Sequence, residues 1–303
     1  MKIKSIILVF LIVTPALSFA QGNRWKRFRY ELVGGVGATN FLGELGGADQ
    51  IGTDFYKDLE LKLTRPAVNI GMRYKITPQT AVKAGFTWGV VAGDDALTKD
   101  QFRSQRSIHF RSHIVEFAAQ YEFYLKKEQA GHRFRLRGVR GIKTHGLYPY
   151  GFFGLSAFWF NPRAKAQNGE WTSLRNLGTE GQFIAETRKA YSRISVAIPI
   201  GIGIKYKIAR QWLIGAEYGK RKTFTDYIDD TSTTYWPNDV IADTNGENGA
   251  VAAYLADPTQ GAWSGSGANQ QRGDPTDNDS FMFLLITVNY TLQTTKGGLP
   301  KFR

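Results

Sequence analysis

The sequence predicts an all-β fold: an eight-stranded antiparallel transmembrane β-barrel of the outer membrane with long external loops. Three observations lead there. The first twenty residues have the form of an export signal, no later run of about 18 apolar residues could make a spanning helix, and eight segments alternate apolar with glycine-rich or charged positions. Their connections alternate between long and short, as hairpins of such a barrel do.

The signal comes first in the chain. Lys2 and Lys4 precede the apolar run Ile6 to Val13, and Ser18-Phe19-Ala20 places small residues at a cleavage point before Gln21. Pro15 interrupts a run already too short to cross about 30 Å of hydrocarbon, which disfavours a membrane anchor. Cleavage would leave 283 residues and lower the net charge from +13 to +11. The expected layout is a signal peptide at 1–20, a barrel at 21–292 and a periplasmic tail at 293–303. The absence of Cys excludes a disulfide framework, a thiolate nucleophile, zinc–thiolate sites and a lipoprotein anchor. Fourteen Tyr, twenty Phe and seven Trp beside a mean hydropathy of -0.31 indicate aromatic surface without a continuous apolar core.

The eight segments follow in order. In Arg29 to Phe41, Tyr30, Leu32 and Val36 oppose Glu31, Gly35 and Gly37. In Pro66 to Lys75, Val68, Ile70, Met72 and Tyr74 oppose Asn69, Gly71 and Arg73. In Thr80 to Val91, Val82, Phe86, Trp88 and Val90 oppose Lys83, Gly85, Thr87 and Gly89. Arg111 to Leu125 sets Val115, Phe117, Ala119, Tyr121 and Phe123 against Glu116, Gln120 and Glu122.

Leu147 to Phe160 is aromatic on both faces, and Tyr148, Tyr150, Phe152, Phe158 and Phe160 are the better lipid-facing set. Ile194 to Ile208 alternates most regularly, with isoleucines against Ser195, Ala197, Gly201, Gly203 and Lys205. In Trp212 to Phe224, Trp212, Ile214, Ala216 and Tyr218 oppose Gly215, Glu217, Gly219 and Arg221. Met282 to Leu292 closes the series with Leu284, Ile286, Val288 and Tyr290 outward.

A soluble sandwich also has one apolar face, so the second face decides. Here it carries glycines with scattered Glu, Lys and Arg, which suits a narrow lumen better than a solvated sheet. Tyr74, Trp88, Tyr121, Phe160, Tyr206, Trp212, Tyr218 and Tyr290 fall where interfacial girdles would lie.

Connection lengths assign the sides. Ile76 to Gln79 and Ala209 to Gln211 are short and read as periplasmic turns. The spans 42–64, 92–109, 161–192 and 225–279 read as external loops, the last of them partly mobile. Residues 126–146 break the pattern: a long periplasmic connection holding Lys126, Lys127, Arg133, Arg135, Arg137, Arg140 and Lys143 against the single acid Glu128. In this topology the periplasmic arm, connection and tail sum to +13, and the external loops, the last counted from residue 222, to -9. Both termini are then periplasmic and the charge is a dipole across the membrane.

Several blocks resemble the family of small outer-membrane barrels to which PorG of the type IX secretion system belongs. They are Gly37 to Leu45 (GATNFLGEL), Arg65-Pro66, Gly93-Asp94-Asp95, Arg106 to Phe123, Pro149 to Ala164, Leu177 to Gln182 (LGTEGQ) and Gly215 to Tyr235. Together they extend over nearly all of residues 30–292. The resemblance implies an eight-stranded barrel without catalysis, associated with a periplasmic ring of PorK- and PorN-like partners. It supplies no residue-level site, and the 236–279 span has no counterpart in it.

Other chemistry is weighed against this. Ser112, His113 and Glu116 suggest a hydrolase, but on a strand His113 points away from the other two. Asp226, Asp229 and Asp230, with Asp274, Asp277 and Asp279, lack EF-hand spacing; the first three would cap the rim or pair with Arg221 and Lys222. Arg272-Gly273-Asp274 is a tripeptide expected by chance in such a loop. Eight strands leave a lumen that side chains fill, which argues against a channel. Export and strand alternation argue against nucleic-acid binding.

The sequence therefore points to a non-enzymatic barrel that anchors or organises a periplasmic protein-secretion complex, with no cofactor or metal. Its partners would be the ring proteins and outer-membrane lipid. Arg133, Arg135, Arg137, Arg140 and Lys143 are the candidate partner-binding residues, steering onto an acidic surface. A basic rim attracted to anionic headgroups or wall polymer is the plainer account of the same charges. A general structural or ligand-receiving barrel remains the alternative function, and a lipid-modifying outer-membrane enzyme a more distant one.

Overall fold

The computed structural model describes residues 23–43, 45, 61–98, 100–128, 146–209, 211–294 and 299–301. Eight long strands form the wall: β1 (Tyr30–Leu42), β2 (Arg65–Lys75), β3 (Thr80–Asp94), β4 (His109–Tyr124), β5 (Leu147–Lys165), β7 (Ile194–Lys207), β8 (Trp212–Thr223) and β9 (Ser280–Thr294). Two short pieces attach to them, β6 (Trp171–Ser173) on β5 and β10 (Pro300–Lys301) on β9. Every strand is antiparallel to its neighbours. The first and last long strands pair from Tyr30–Leu292 to Leu42–Ser280, so the wall is closed and has no free edge.

Alternation sorts each strand into two faces, since successive side chains point oppositely. Outward on β7 stand Ile194, Val196, Ile198, Ile200, Ile202, Ile204 and Tyr206, all exposed. Leu32, Val36, Val68, Ile70, Met72, Phe86, Val115, Phe117, Ile214, Leu284, Ile286 and Val288 continue the belt around the wall. Twelve steps from Ile194 to Tyr206 at about 3.3 Å and a tilt near 40° give a belt about 30 Å tall, the thickness of a bilayer core. Tyr30 and Tyr74 (5.1 Å between ring centroids) and Trp212 and Tyr290 (4.7 Å) form a girdle near the short turns. Trp88 and Trp159 mark the other edge of the belt. No helix among the described residues is long and apolar enough to cross a membrane.

On β5 the expected facing is reversed. Tyr148, Tyr150, Phe152, Phe158 and Phe160 are buried inside, and Leu147, Phe153, Leu155 and Trp159 face outward. The opposing glycines explain the inversion. A Cβ built on Gly203 would lie 2.3 Å from Tyr150 Cζ, and one on Gly201 or Gly219 2.6 Å from Phe152 Cζ. Bare backbone on β7 and β8 leaves the space these rings occupy, so aromatic mass fills the lumen. Phe160 consequently leaves the predicted girdle.

The turns are short where the sequence predicts. Ile76 N–H donates to Thr80 O at 2.9 Å, and Thr77 Oγ1 accepts from the Gln79 and Thr80 amides. At the opposite end β3, β4, β5 and β9 run beyond the belt and support a folded cap. There the 225–279 span, expected as a partly mobile loop, carries α2 (Asn238–Asn245) and α3 (Gly249–Ala256) after the short α1 (Gln101–Arg106) of an earlier loop. Ile228, Ile241, Ala252, Leu255 and Ala256 are buried in one cluster with Phe41, Phe110, Phe158, Phe281 and Phe283. The span folds because its few apolar residues meet the aromatic mouth of the barrel.

Candidate functional site

The lumen is built from the inward positions that the alternation predicts. Glu31 on β1 binds three cations: Arg73 Nη1 at 2.8 Å, Lys75 Nζ at 2.5 Å and Lys205 Nζ at 3.1 Å. Arg73 Nε also donates to Glu122 Oε2 at 2.6 Å, and its Nη1 to Asn289 Oδ1 at 2.9 Å. Tyr124 OH donates to the same Glu122 oxygen at 2.5 Å. One layer up, Lys83 Nζ donates to both oxygens of Glu217 at 2.6 and 2.5 Å, and Tyr150 OH donates to the same carboxylate at 2.9 Å. Arg221 Nε meets Glu116 Oε1 at 3.3 Å, with its guanidinium 4.5 Å from the centre of Phe283.

Five cations (Arg73, Lys75, Lys83, Lys205, Arg221) thus match five carboxylates (Glu31, Glu116, Glu122, Glu128, Glu217) among the described residues. Each charge is desolvated, so each needs its partner. Between the layers a cavity of about 10 Å³ lies among Asn69, Lys83, Gln120, Glu217 and Arg221, room for about one water. No aqueous path follows from such a lumen.

Glu128 is the residue that strand periodicity misses. It follows β4 in the basic connection, where it reads as a surface acid. Instead it turns inward to Lys75 Nζ at 2.8 Å and Lys205 Nζ at 3.4 Å. Burial would raise its carboxyl, but Lys205 and Lys75 outweigh burial and hold it below the ordinary carboxylate range. Among the described residues four basic side chains at this end, Lys26, Arg27, Lys126 and Lys127, remain exposed.

The cap has its own polar centre. Glu180, from the 166–193 loop, accepts from Ser232 N at 2.9 Å, Thr233 Oγ1 at 2.6 Å and Arg272 Nη1 at 2.9 Å. Arg272 also donates to the carbonyls of Asp230 and Ala256, while Arg106 Nη1 donates to Arg272 O at 2.7 Å. Asp230 accepts from Tyr191 OH at 2.6 Å and from Thr179 Oγ1. Burial pushes Asp230 up to about 6 against the pull of Arg272, and pushes Asp229 up to about 7 against the Thr231 amide, Arg106 and Arg272. The LGTEGQ and Gly215 to Tyr235 blocks of the sequence therefore meet in this centre. Arg221 pairs with Glu116, not with the aspartates of the 226–230 stretch.

Other candidate groups separate. Ser112 accepts from Asn161 N inside the wall and Glu116 binds Arg221, whereas His113 lies outside beside Trp88, 5.9 Å between ring centroids. Those three cannot form a triad. Among the described residues no group of three His, Cys, Asp or Glu is placed to hold a metal. Arg272 is fully buried, so Arg272-Gly273-Asp274 presents no exposed tripeptide. Arg133, Arg135, Arg137, Arg140 and Lys143 lie outside the described residues.

A closed eight-stranded antiparallel barrel with an apolar outer belt and a charge-paired, aromatic-filled lumen is of the outer-membrane class. The chain belongs to the DUF6089 family, described as a domain of unknown function, which it matches over residues 4–240. No curated protein matches it in sequence. Among solved structures it is similar to Ail, the attachment invasion locus protein of Yersinia pestis, in complex with the heparin analogue sucrose octasulfate. That pair shares 9% identity over 88% of this chain and 99% of the other, with a TM-score of 0.39. Neisserial surface protein A (NspA) gives 10%, 86%, 95% and 0.39, and the outer membrane protein OprG from Pseudomonas aeruginosa 9%, 88%, 97% and 0.33. At such identities the likeness is one of fold.

Proposed function

We propose that this protein is a non-enzymatic outer-membrane barrel that anchors or organises a periplasmic protein-secretion assembly of the type IX kind, as its resemblance to the PorG family suggests. Residues 1–20 direct export and are removed. The short turns and both termini face the periplasm, and the cap faces outward, following the turn-length rule of outer-membrane barrels. A lumen filled by paired charges and rings supports a scaffold in preference to a conduit.

The observation that carries the docking half of the proposal is the position of Glu128. It is the only acid between residues 126 and 146, and Lys75 and Lys205 occupy it inside the barrel. The sequence of the connection offers its basic residues no other acid. Arg133, Arg135, Arg137, Arg140 and Lys143 steer and dock an acidic face of PorK- or PorN-like ring proteins.

The test reverses all five to Glu in the full chain. Co-purification of the ring proteins and secretion are then lost, while the barrel still shows a mobility difference between boiled and unboiled samples. Normal secretion by the folded variant would overturn the docking proposal.

A further inference from the structure

The outer face of β4 and β5 changes character at the cap end. Val115 and Trp159 are register partners in the apolar belt. Four residues on, about 13 Å along each strand, the corresponding outward positions are Arg111 and Arg163, which stand directly opposite one another. Like charges placed so repel. Arg163 is also the register partner of Ser173 on β6, and Ser173 Oγ receives Arg193 Nη2 at 3.1 Å. Arg193 Nη2 also reaches Asn176 Oδ1 at 2.9 Å, just before β7 begins. Three arginines therefore stand on β4, on β5 and immediately before β7, just above the lipid-facing wall.

Among the described residues no carboxylate pairs with Arg111, Arg163 or Arg193. The Nε of each is shielded from solvent and has no hydrogen-bond partner. Two nearby acids are engaged in their own loops: Asp94 accepts from Ala96 N at 3.0 Å and Glu170 from Asn168 Nδ2 at 3.1 Å. Trp171 supports the patch, with Arg111 4.3 Å and Lys165 5.8 Å from its ring centre. Stacking on an indole holds a guanidinium in place while leaving its edge free to donate.

We infer that Arg111, Arg163 and Arg193 bind the phosphate groups of a membrane lipid, whose acyl chains lie along Val115, Phe117, Leu155, Trp159 and Val196 below. Arginine forks suit phosphate oxygens. Continuity with the apolar belt selects a lipid over a soluble anion, because the same strands that carry the cations carry the chains' contact surface. This identification of the lipid rests on the cap facing outward, where the phosphate carriers of an outer leaflet are glycolipids of the lipid A type.

The test measures binding of bisphosphorylated lipid A, its dephosphorylated form and inorganic phosphate to the full-length protein in detergent, by native mass spectrometry. Wild-type protein should favour the bisphosphorylated lipid by about a hundredfold over the dephosphorylated one, from roughly fivefold for each of the three arginines. The triple variant Arg111→Gln/Arg163→Gln/Arg193→Gln should lose that preference. Lys126→Gln/Lys127→Gln, at the other end of the barrel, should keep it. Boiled and unboiled samples of each variant report folding. An unchanged preference in the folded triple variant, or none in the wild type, would overturn the site. Displacement by millimolar inorganic phosphate would overturn the lipid assignment in favour of a soluble anion. Labelling of a cap residue in intact cells reports orientation separately, so lipid A binding with an inward cap would defeat the topology and leave the site standing.

Discussion

Replacing Glu217 by Gln removes the only carboxylate among the described residues that Lys83 touches. Lys83 Nζ donates to both Glu217 oxygens, and the Phe152 ring lies 5.8 Å from the ammonium to its centre. The two side chains are 6% and 2% exposed, so bulk solvent cannot replace the lost partner. Breaking a buried pair from one side costs about 3–5 kcal/mol. Gln retains an acceptor for Tyr150 OH, which places E217Q near the lower end, about 3 kcal/mol. Lys83→Met leaves the carboxylate with Tyr150 as its remaining donor and costs a similar amount. The double variant Lys83→Met/Glu217→Met removes both charges at similar volume and is expected to lose about 1 kcal/mol or less. Equilibrium urea unfolding in lipid vesicles, followed by tryptophan fluorescence, gives all three values and a coupling energy of roughly 3 kcal/mol or more. Additive single and double variants would refute the view that these charges are held in the lumen by each other.

Three further outcomes follow from the same structure. Planar-bilayer recording should show no steady conductance from the intact protein, nor from a variant lacking residues 236–270, because the ion-paired layers lie below the cap. The cap should resist proteolysis better at pH 5 than at pH 8: Asp229 and Asp230, raised to about 7 and 6 from 3.8, stay protonated in the folded cap. Folded-state proton binding exceeds that of the unfolded chain between those values, so their stabilisation is fully present below pH 4, falls as pH rises, and is gone above about 7; equal digestion rates would contradict it. Glu180→Ala should release the cap, measured as new cleavage in 225–279, while heat-modifiability of the barrel persists. Loss of the barrel with the cap would show the two to be one cooperative unit.

The fold was legible where one face alone is apolar. On β7 the isoleucines leave no choice of facing, and glycines and Lys205 can only point inward. On β5 both faces are aromatic, and hydrophobicity cannot rank them; the deciding fact, that Gly201, Gly203 and Gly219 stand opposite Tyr150 and Phe152, depends on strand register. Glu31, Lys83, Glu116, Glu122, Lys205, Glu217 and Arg221 were visible as lumen charges from alternation. Glu128 was not, since it lies past the end of the period and beside two exposed lysines. The cap escaped for a related reason: Ile228, Ile241 and Leu255 are too sparse in sequence to announce a core until Phe158 and Phe281 are brought beneath them. The Arg111–Arg163 juxtaposition likewise exists only after β4 and β5 are aligned.

The lumen charges have a consequence for assembly. Arg73 joins β1, β2, β4 and β9, and Lys205 joins β1 and β7 with the chain beyond β4. A slip of one residue between any two strands reverses every side chain of the slipped strand. In a water-soluble sheet that error exposes apolar groups to solvent; here it would also drive Arg or Glu into hydrocarbon, at a cost of about 2–4 kcal/mol for a midplane Arg or Lys. The nine of these charges that stand on strands therefore act during insertion as a proofreading code, penalising each misaligned wall before it closes.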